Sequence, residues 1–213
     1  MGRDMTGGRA ITGAVAIAAV ALAGCASPLL GTSAHSAAST GSSAASPNSK
    51  SAFSGRSGPA HTLSTPARLG SYTRSPGLEK AMDANGMREQ VVKSSSGQAS
   101  DVLSAVYVQG NVTPGAGGNQ QIFMFVGGHL TNSDPAASIA NLEQTYPSAQ
   151  VVPAGSLGGE AACTTTRANN ESVAMCVWFD NDSFGTFVSP TMPAAKLAKT
   201  LDTVRPGIEQ VSQ

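Results

Sequence analysis

Charge of either sign is scarce in this chain. Thirteen basic and thirteen acidic residues among 213 cancel formally, and only 12% of positions are charged. Without a basic field the protein has no means of neutralising phosphates, so nucleic acid is not an expected partner. Cysteine and histidine are equally sparse, at three residues each. No CxxC occurs, and His35, His61 and His129 stand far in sequence from Cys163 and Cys176, so no metal site is expected. GxGxxG, phosphate-loop, GxSxG, HExxH and SxxK patterns are all missing, which removes the common nucleotide, hydrolase and metalloprotease signatures and leaves no cofactor to expect. Serines are plentiful, but a nucleophilic serine needs a base beside it, and His129 is the one histidine expected within the folded part.

Long apolar runs are also few. Ala10–Leu22 is interrupted only by Thr12 and Gly13. A spanning helix needs about 20 apolar residues, so this segment is too short to remain in a bilayer. Arg3 and Arg9 precede it and Leu22-Ala23-Gly24-Cys25 follows, the arrangement of a signal peptide ending in a lipobox. Residues 1–24 are therefore read as a lipoprotein signal, with Cys25 the site of diacylglycerol attachment and the membrane a partner through that lipid. Ala21-Leu22-Ala23 also fits ordinary signal cleavage, which would release the protein instead. Two or three acyl chains anchor stably, whereas one binds only marginally.

Residues 25–68 are dominated by Ser, Ala, Gly, Thr and Pro and show no apolar periodicity. They read as a flexible tether with a root-mean-square reach of roughly 35 Å. A cleaved pro-segment is the other reading. His35 and His61 are expected there as solvated bystanders.

Residues 69–213 read as one α+β domain with a mainly antiparallel sheet and two or three helices. Leu69-Gly70-Ser71-Tyr72 suggests a short strand. A helix should then follow Ser75-Pro76, with Leu78, Ala81, Met82, Glu89 and Val92 on one face and Gly86 as its weak point. Val102–Gln109 and Gln120–Val126 look like a hairpin. Asp134-Pro135 opens the clearest helix, carrying Ile139, Leu142 and Tyr146 until Pro147. Gln150–Pro153, Ala161–Thr166, Ser172–Asp180 and Phe184–Ser189 read as strands. The last helix carries Leu197, Leu201, Val204 and Ile208, with Pro206 expected to end it before Ile208. Gly127-Gly128 are expected in a turn, with His129 at an exposed tip.

With Cys25 committed to lipid, Cys163 and Cys176 form an even pair in an oxidising compartment. Pairing of Ala161–Thr166 with Ser172–Asp180 around Asn169-Asn170 makes partners sum to 339, as Cys163 and Cys176 do. The thiols then stand opposite each other, and closing a loop of about 14 residues contributes roughly 3 kcal/mol. A redox-active bridge is the alternative. The same pairing puts Cys163, Thr165, Ala174, Cys176 and Trp178 on one face, and Ala162, Val173, Met175, Val177 and Phe179 on the other, which should be core. Asp180-Asn181-Asp182-Ser183-Phe184-Gly185 begins like a calcium loop, but Phe184 and Thr191 occupy ligand positions. That segment is expected to be an exposed turn.

Leu157-Gly158-Gly159-Glu160, Cys163, Cys176-Val177-Trp178-Phe179-Asp180, Gly185 and Val188 resemble an LGGxxxC…CxWxD arrangement of uncharacterised exported actinobacterial proteins, which place a Ser/Ala/Pro-rich spacer between an anchor and a small α+β domain. The resemblance implies location and a disulfide, and no activity. Many of those proteins use a transmembrane helix where this chain has a lipobox.

The expected role is a noncatalytic binding, sensing or envelope-accessory lipoprotein, with Glu160, Trp178 and Asp180 as the candidate binding surface and an envelope protein or small ligand as partner. A hydrolase using His129 with Asp134 or Asp180 is the rival. A subunit docking through an exposed apolar patch around Trp178 is the third reading.

Overall fold

The computed structural model describes residues 60–110, 120–168 and 171–212. The lipobox with Cys25, the N-terminal part of the tether and the Asn169-Asn170 turn lie outside the described residues. In chain order the elements are β1 (His61–Leu63), β2 (Arg68–Leu69), β3 (Tyr72–Arg74), α1 (Pro76–Ala81), α2 (Ala84–Ser94), β4 (Ala99–Gln109) and β5 (Gln121–Leu130). They continue as α3 (Pro135–Thr145), β6 (Gln150–Val152), β7 (Glu160–Ala168), β8 (Glu171–Phe179), β9 (Ser183–Ser189), α4 (Ala194–Ile208) and β10 (Glu209–Val211). The class is α+β. Eight strands form one antiparallel sheet in the order β2-β3-β4-β5-β9-β8-β7-β6, and β1 pairs with β10 in a separate ribbon.

Local chemistry sets most boundaries. Asp134 accepts a hydrogen bond from the Ala137 amide at 3.0 Å and Pro135 occupies the first turn, so α3 starts where the sequence places it. The region after Ser75 is two helices rather than one. Asp83 takes a left-handed conformation (φ 51°) and caps α2 through the Gly86 amide. The break shifts the helical phase. Ala84, Met87 and Val91 face inward with Leu78 and Met82, while Ala81, Glu89 and Val92 are exposed. Leu69-Gly70-Ser71-Tyr72 is likewise a β2–β3 hairpin, with Gly70 at φ 58° in its turn, rather than one strand.

Both faces of the sheet are buried, which corrects the expectation of a single core face. One face, with Ala161, Cys163, Ala174, Cys176 and Trp178, packs under Leu197, Leu201, Val204 and Ile208 of α4. The opposite face, with Ala162, Val173, Met175, Val177 and Phe179, packs against α2 and α3 through Ala84, Ile139 and Leu142. The split of residues between faces agrees with the sequence reading, and helices cover each side. Gly127 and Gly128 are not in a turn. They lie within β5, opposite an irregularity in β4 between Ser100 and Leu103.

Residues 60–68 also belong to the folded domain rather than to the tether. The Ser64 amide donates to the Ile208 carbonyl at 2.8 Å, Arg74 Nη1 to the Thr65 carbonyl at 3.1 Å, and the Tyr107 hydroxyl to the Pro66 carbonyl at 3.0 Å. Burial pushes the Tyr107 phenol up to about 12. Pro206 does not end α4 before Ile208. The proline removes one amide, yet the last turn persists because the Glu209 amide bonds the Arg205 carbonyl and the Arg205 side chain is fixed inside the protein.

Candidate functional site

Arg205 organises the polar interior. It sits on the apolar face of α4, 1% exposed, and its planar fork reaches four acceptors. Nε donates to Glu209 Oε2 at 2.6 Å, Nη2 to Asp180 Oδ2 at 3.0 Å, and Nη1 to the Ala154 and Gly158 carbonyls at 2.7 Å each. A guanidinium suits this position because its donors diverge in one plane while its charge needs no proton equilibrium. Trp178 lies beneath it, 5.4 Å from the guanidinium carbon to the ring centroid, and donates Nε1–H to Glu209 Oε2 at 3.0 Å. Ser183 Oγ donates to Glu209 Oε1.

His61 completes the cluster from the other end of the chain. Its amide donates to Asp182 Oδ2 at 2.8 Å and its Nδ1 lies 2.6 Å from Asp182 Oδ1. Nε2 is 3.9 Å from Asp180 Oδ2, and Nδ1 is 3.9 Å from Glu209 Oε1. Burial works to raise the Asp182 carboxyl, but hydrogen bonds from the His61 ring and amide outweigh it and hold the carboxyl below its ordinary value. His61 is therefore a buried member of the folded domain, which corrects its assignment as a solvated bystander. The β1–β10 pairing carries it in: once His61 stands opposite Val211, its ring faces the β8–β9 turn.

The same turn corrects two further expectations. Asp180-Asn181-Asp182 is not merely exposed: Asp180 is buried and Asp182 half-buried, both aimed into the cluster. Trp178 is fully buried, stacked near Phe125 at 5.9 Å between centroids, so it forms neither an exposed apolar patch nor, with Asp180, a binding surface. Only Glu160 of that trio is exposed. His129 is a half-buried residue of β5 rather than a loop tip, its Nδ1 3.3 Å from the Asp182 carbonyl oxygen. Among the described residues, no hydrogen bond joins it to Asp134 or Asp180.

Gly158, Gly159, Trp178 and Asp180 of the LGGxxxC…CxWxD arrangement meet at this cluster. Gly158 supplies a carbonyl to Arg205. Gly159 (φ 81°) passes so close to the Phe179 carbonyl that a Cβ there would overlap it. Trp178 and Asp180 bond Glu209 and Arg205 directly, and Gly185, opposite Trp178 on β9, leaves room for the indole. A Cβ at 185 would overlap the Trp178 ring. Gly185→Ala should therefore cost about 1–3 kcal/mol by overpacking and displace the indole from Glu209. Thermal unfolding followed by intrinsic fluorescence checks this, since Trp178 is the single tryptophan.

Cys163 and Cys176 are joined, with Cα atoms 4.0 Å apart and the register expected from the sequence. His61, Asp180 and Glu209 are the set among the described residues able to hold a metal, with one ligand atom from each within 4.8 Å of the others, and all three residues buried. Sequence reasoning did not assemble that set. Among the described residues no helix is long and apolar enough to cross a membrane. Compared with models of known families, with curated proteins and with solved structures, the chain matches none.

Proposed function

We propose that the protein is a lipid-anchored, extracytoplasmic, noncatalytic module that binds or senses an envelope component. The observation that carries the reading is the lipobox Leu22-Ala23-Gly24-Cys25, followed by a low-complexity tether and a domain closed by a disulfide between adjacent strands. The cluster's chemistry supports the noncatalytic part. Arg205, Glu209 and Ser183 lie at 0–1% exposure with their polar atoms bonded to one another, so these side chains hold the fold rather than present a reactive face. The resemblance to exported proteins with an LGGxxxC…CxWxD hairpin points to the same compartment. Intact-mass measurement of protein extracted from its own envelope tests the reading. Acyl chains on Cys25 and a two-hydrogen deficit for the disulfide are expected, and Cys25→Ala should lose all acylation and leave the membrane fraction. An acyl-free native protein whose hairpin thiols alkylate without reductant would overturn it.

A further inference from the structure

Asp180 and Glu209, both buried, share the single Arg205 guanidinium, and the partly exposed Asp182 adds a third carboxylate against His61, so the formal charges of these four acidic and basic groups sum to minus two beside a neutral imidazole. Such an excess is costly to remove from water unless a cation balances it. His61, 8% exposed, points at this excess. The Asp182 carboxylate takes the Nδ1–H, so in the neutral ring Nε2 carries the free lone pair. Among the described residues Nε2 has no hydrogen-bond partner: its nearest acidic neighbour, Asp180 Oδ2, is 3.9 Å away. That gap is too long for a hydrogen bond and about 0.5 Å wider than the roughly 3.4 Å that two bonds of about 2.1 Å span at a tetrahedral angle, so the two side chains would close slightly on a shared ion.

We propose that His61, Asp180 and Glu209 hold a divalent first-row cation, zinc fitting best, and that this ion fastens the tether-side strand β1 to the domain. One imidazole with two carboxylates and no thiolate is a borderline-to-hard donor set that zinc accepts readily. Two positive charges offset the excess left by Arg205. Asp182 acts as the positioning residue, fixing the ring through Nδ1 in the manner of a carboxylate–histidine–metal relay, while Arg205 holds the Oδ2 and Oε2 edges of the two ligating carboxylates. The ligands come from β1, the β8–β9 turn and β10, so ion binding ties the end of the tether to the C-terminal ribbon. The site does not depend on lipidation at Cys25.

The test uses full-length protein in detergent, stripped with chelator and titrated with zinc alone in equilibrium dialysis. One zinc per chain is expected, together with a fluorescence change from Trp178, whose indole shares Glu209. His61→Asn keeps a donor toward Asp182 and lacks the atom at Nε2, and should weaken binding at least about a hundredfold; Asp182→Asn should weaken it about 10–100-fold. Near-UV circular dichroism establishes that each variant is folded. No zinc retained by the wild-type chain overturns the proposal, as does undiminished binding in a folded His61→Asn protein, which would put the ion at another residue. A fluorescence change that follows pH with no zinc bound would assign the balancing charge to a proton and overturn it equally.

Discussion

Arg205→Ala is expected to cost about 3–5 kcal/mol, a large share of the roughly 5–15 kcal/mol that holds a domain folded. The loss comes from what stays behind rather than from the value of the ion pairs themselves. Asp180 and Glu209 would remain buried with their counter-charge gone, and the Ala154 and Gly158 carbonyls would lose their donor. Arg205→Lys separates charge from geometry. One ammonium keeps the positive charge but cannot reach two carboxylates and two carbonyls in diverging directions, so an intermediate loss is expected. Arg205→Met combined with Asp180→Asn and Glu209→Gln should recover much of the single-site loss, because the uncompensated charges leave with the arginine. Urea unfolding midpoints at constant slope measure all three. A loss below about 1 kcal/mol for Arg205→Ala is the value of an exposed pair, and would mean that the cluster is solvated.

The readable parts of this fold are those decided within a few residues. Asp134-Pro135 fixes the start of α3 because a carboxylate cap and a proline without a donor act on the same first turn. The β7–β8 register follows from one turn and one cysteine pair, and every partner from Glu160–Phe179 to Ala168–Glu171 falls on the expected sum. What alternation could not say is whether a second layer covers the other face. The signal was in the composition of β8: Val173 to Phe179 is an unbroken apolar run, the pattern of a strand buried on both sides rather than one. In the same way, the left-handed Asp83 that splits the first helical segment has no local mark as strong as the Gly86 three residues later, which instead makes room for its cap.

The cluster was legible only in pieces. His61 reaches Asp182 across 121 positions of sequence, and no pattern of spacing carries that information. Its burial depends on β1 pairing with β10, two strands of three residues each, short enough to vanish into a low-complexity tether and a helix end. One clue did lie in the sequence. Arg205 falls beside Val204 and between Leu201 and Ile208 in a helix whose other inward positions carry no charge, with Glu209 four residues on. A charged residue on a buried face needs a partner, so that spacing is itself the mark of an interior ion pair. The calcium-like Asp180-Asn181-Asp182 turn and Trp178 supply the rest of the cluster, and nothing in their own segment marks their burial, because the arginine that bonds Asp180 lies 25 residues downstream.

Replacing both hairpin cysteines by alanine should lower stability by about 3 kcal/mol, the loop-closure entropy of a crosslink spanning 13 positions. The strands remain paired by their ladder and by the layers on both faces, so the variant should fold with the same register but unfold at lower temperature. A second consequence follows from burial. Cys163 is 5% exposed and Cys176 fully buried beneath α4, so a reductant must wait for the hairpin to open before it reaches the bond. Reduction of the native protein should therefore be slow and speed up with sub-denaturing urea, as measured by alkylation and mass. A redox-active bridge would behave oppositely, exchanging rapidly in the folded state with little change in stability, because catalytic disulfides need an accessible sulfur. The two outcomes separate a structural crosslink from a working thiol pair without knowledge of any ligand.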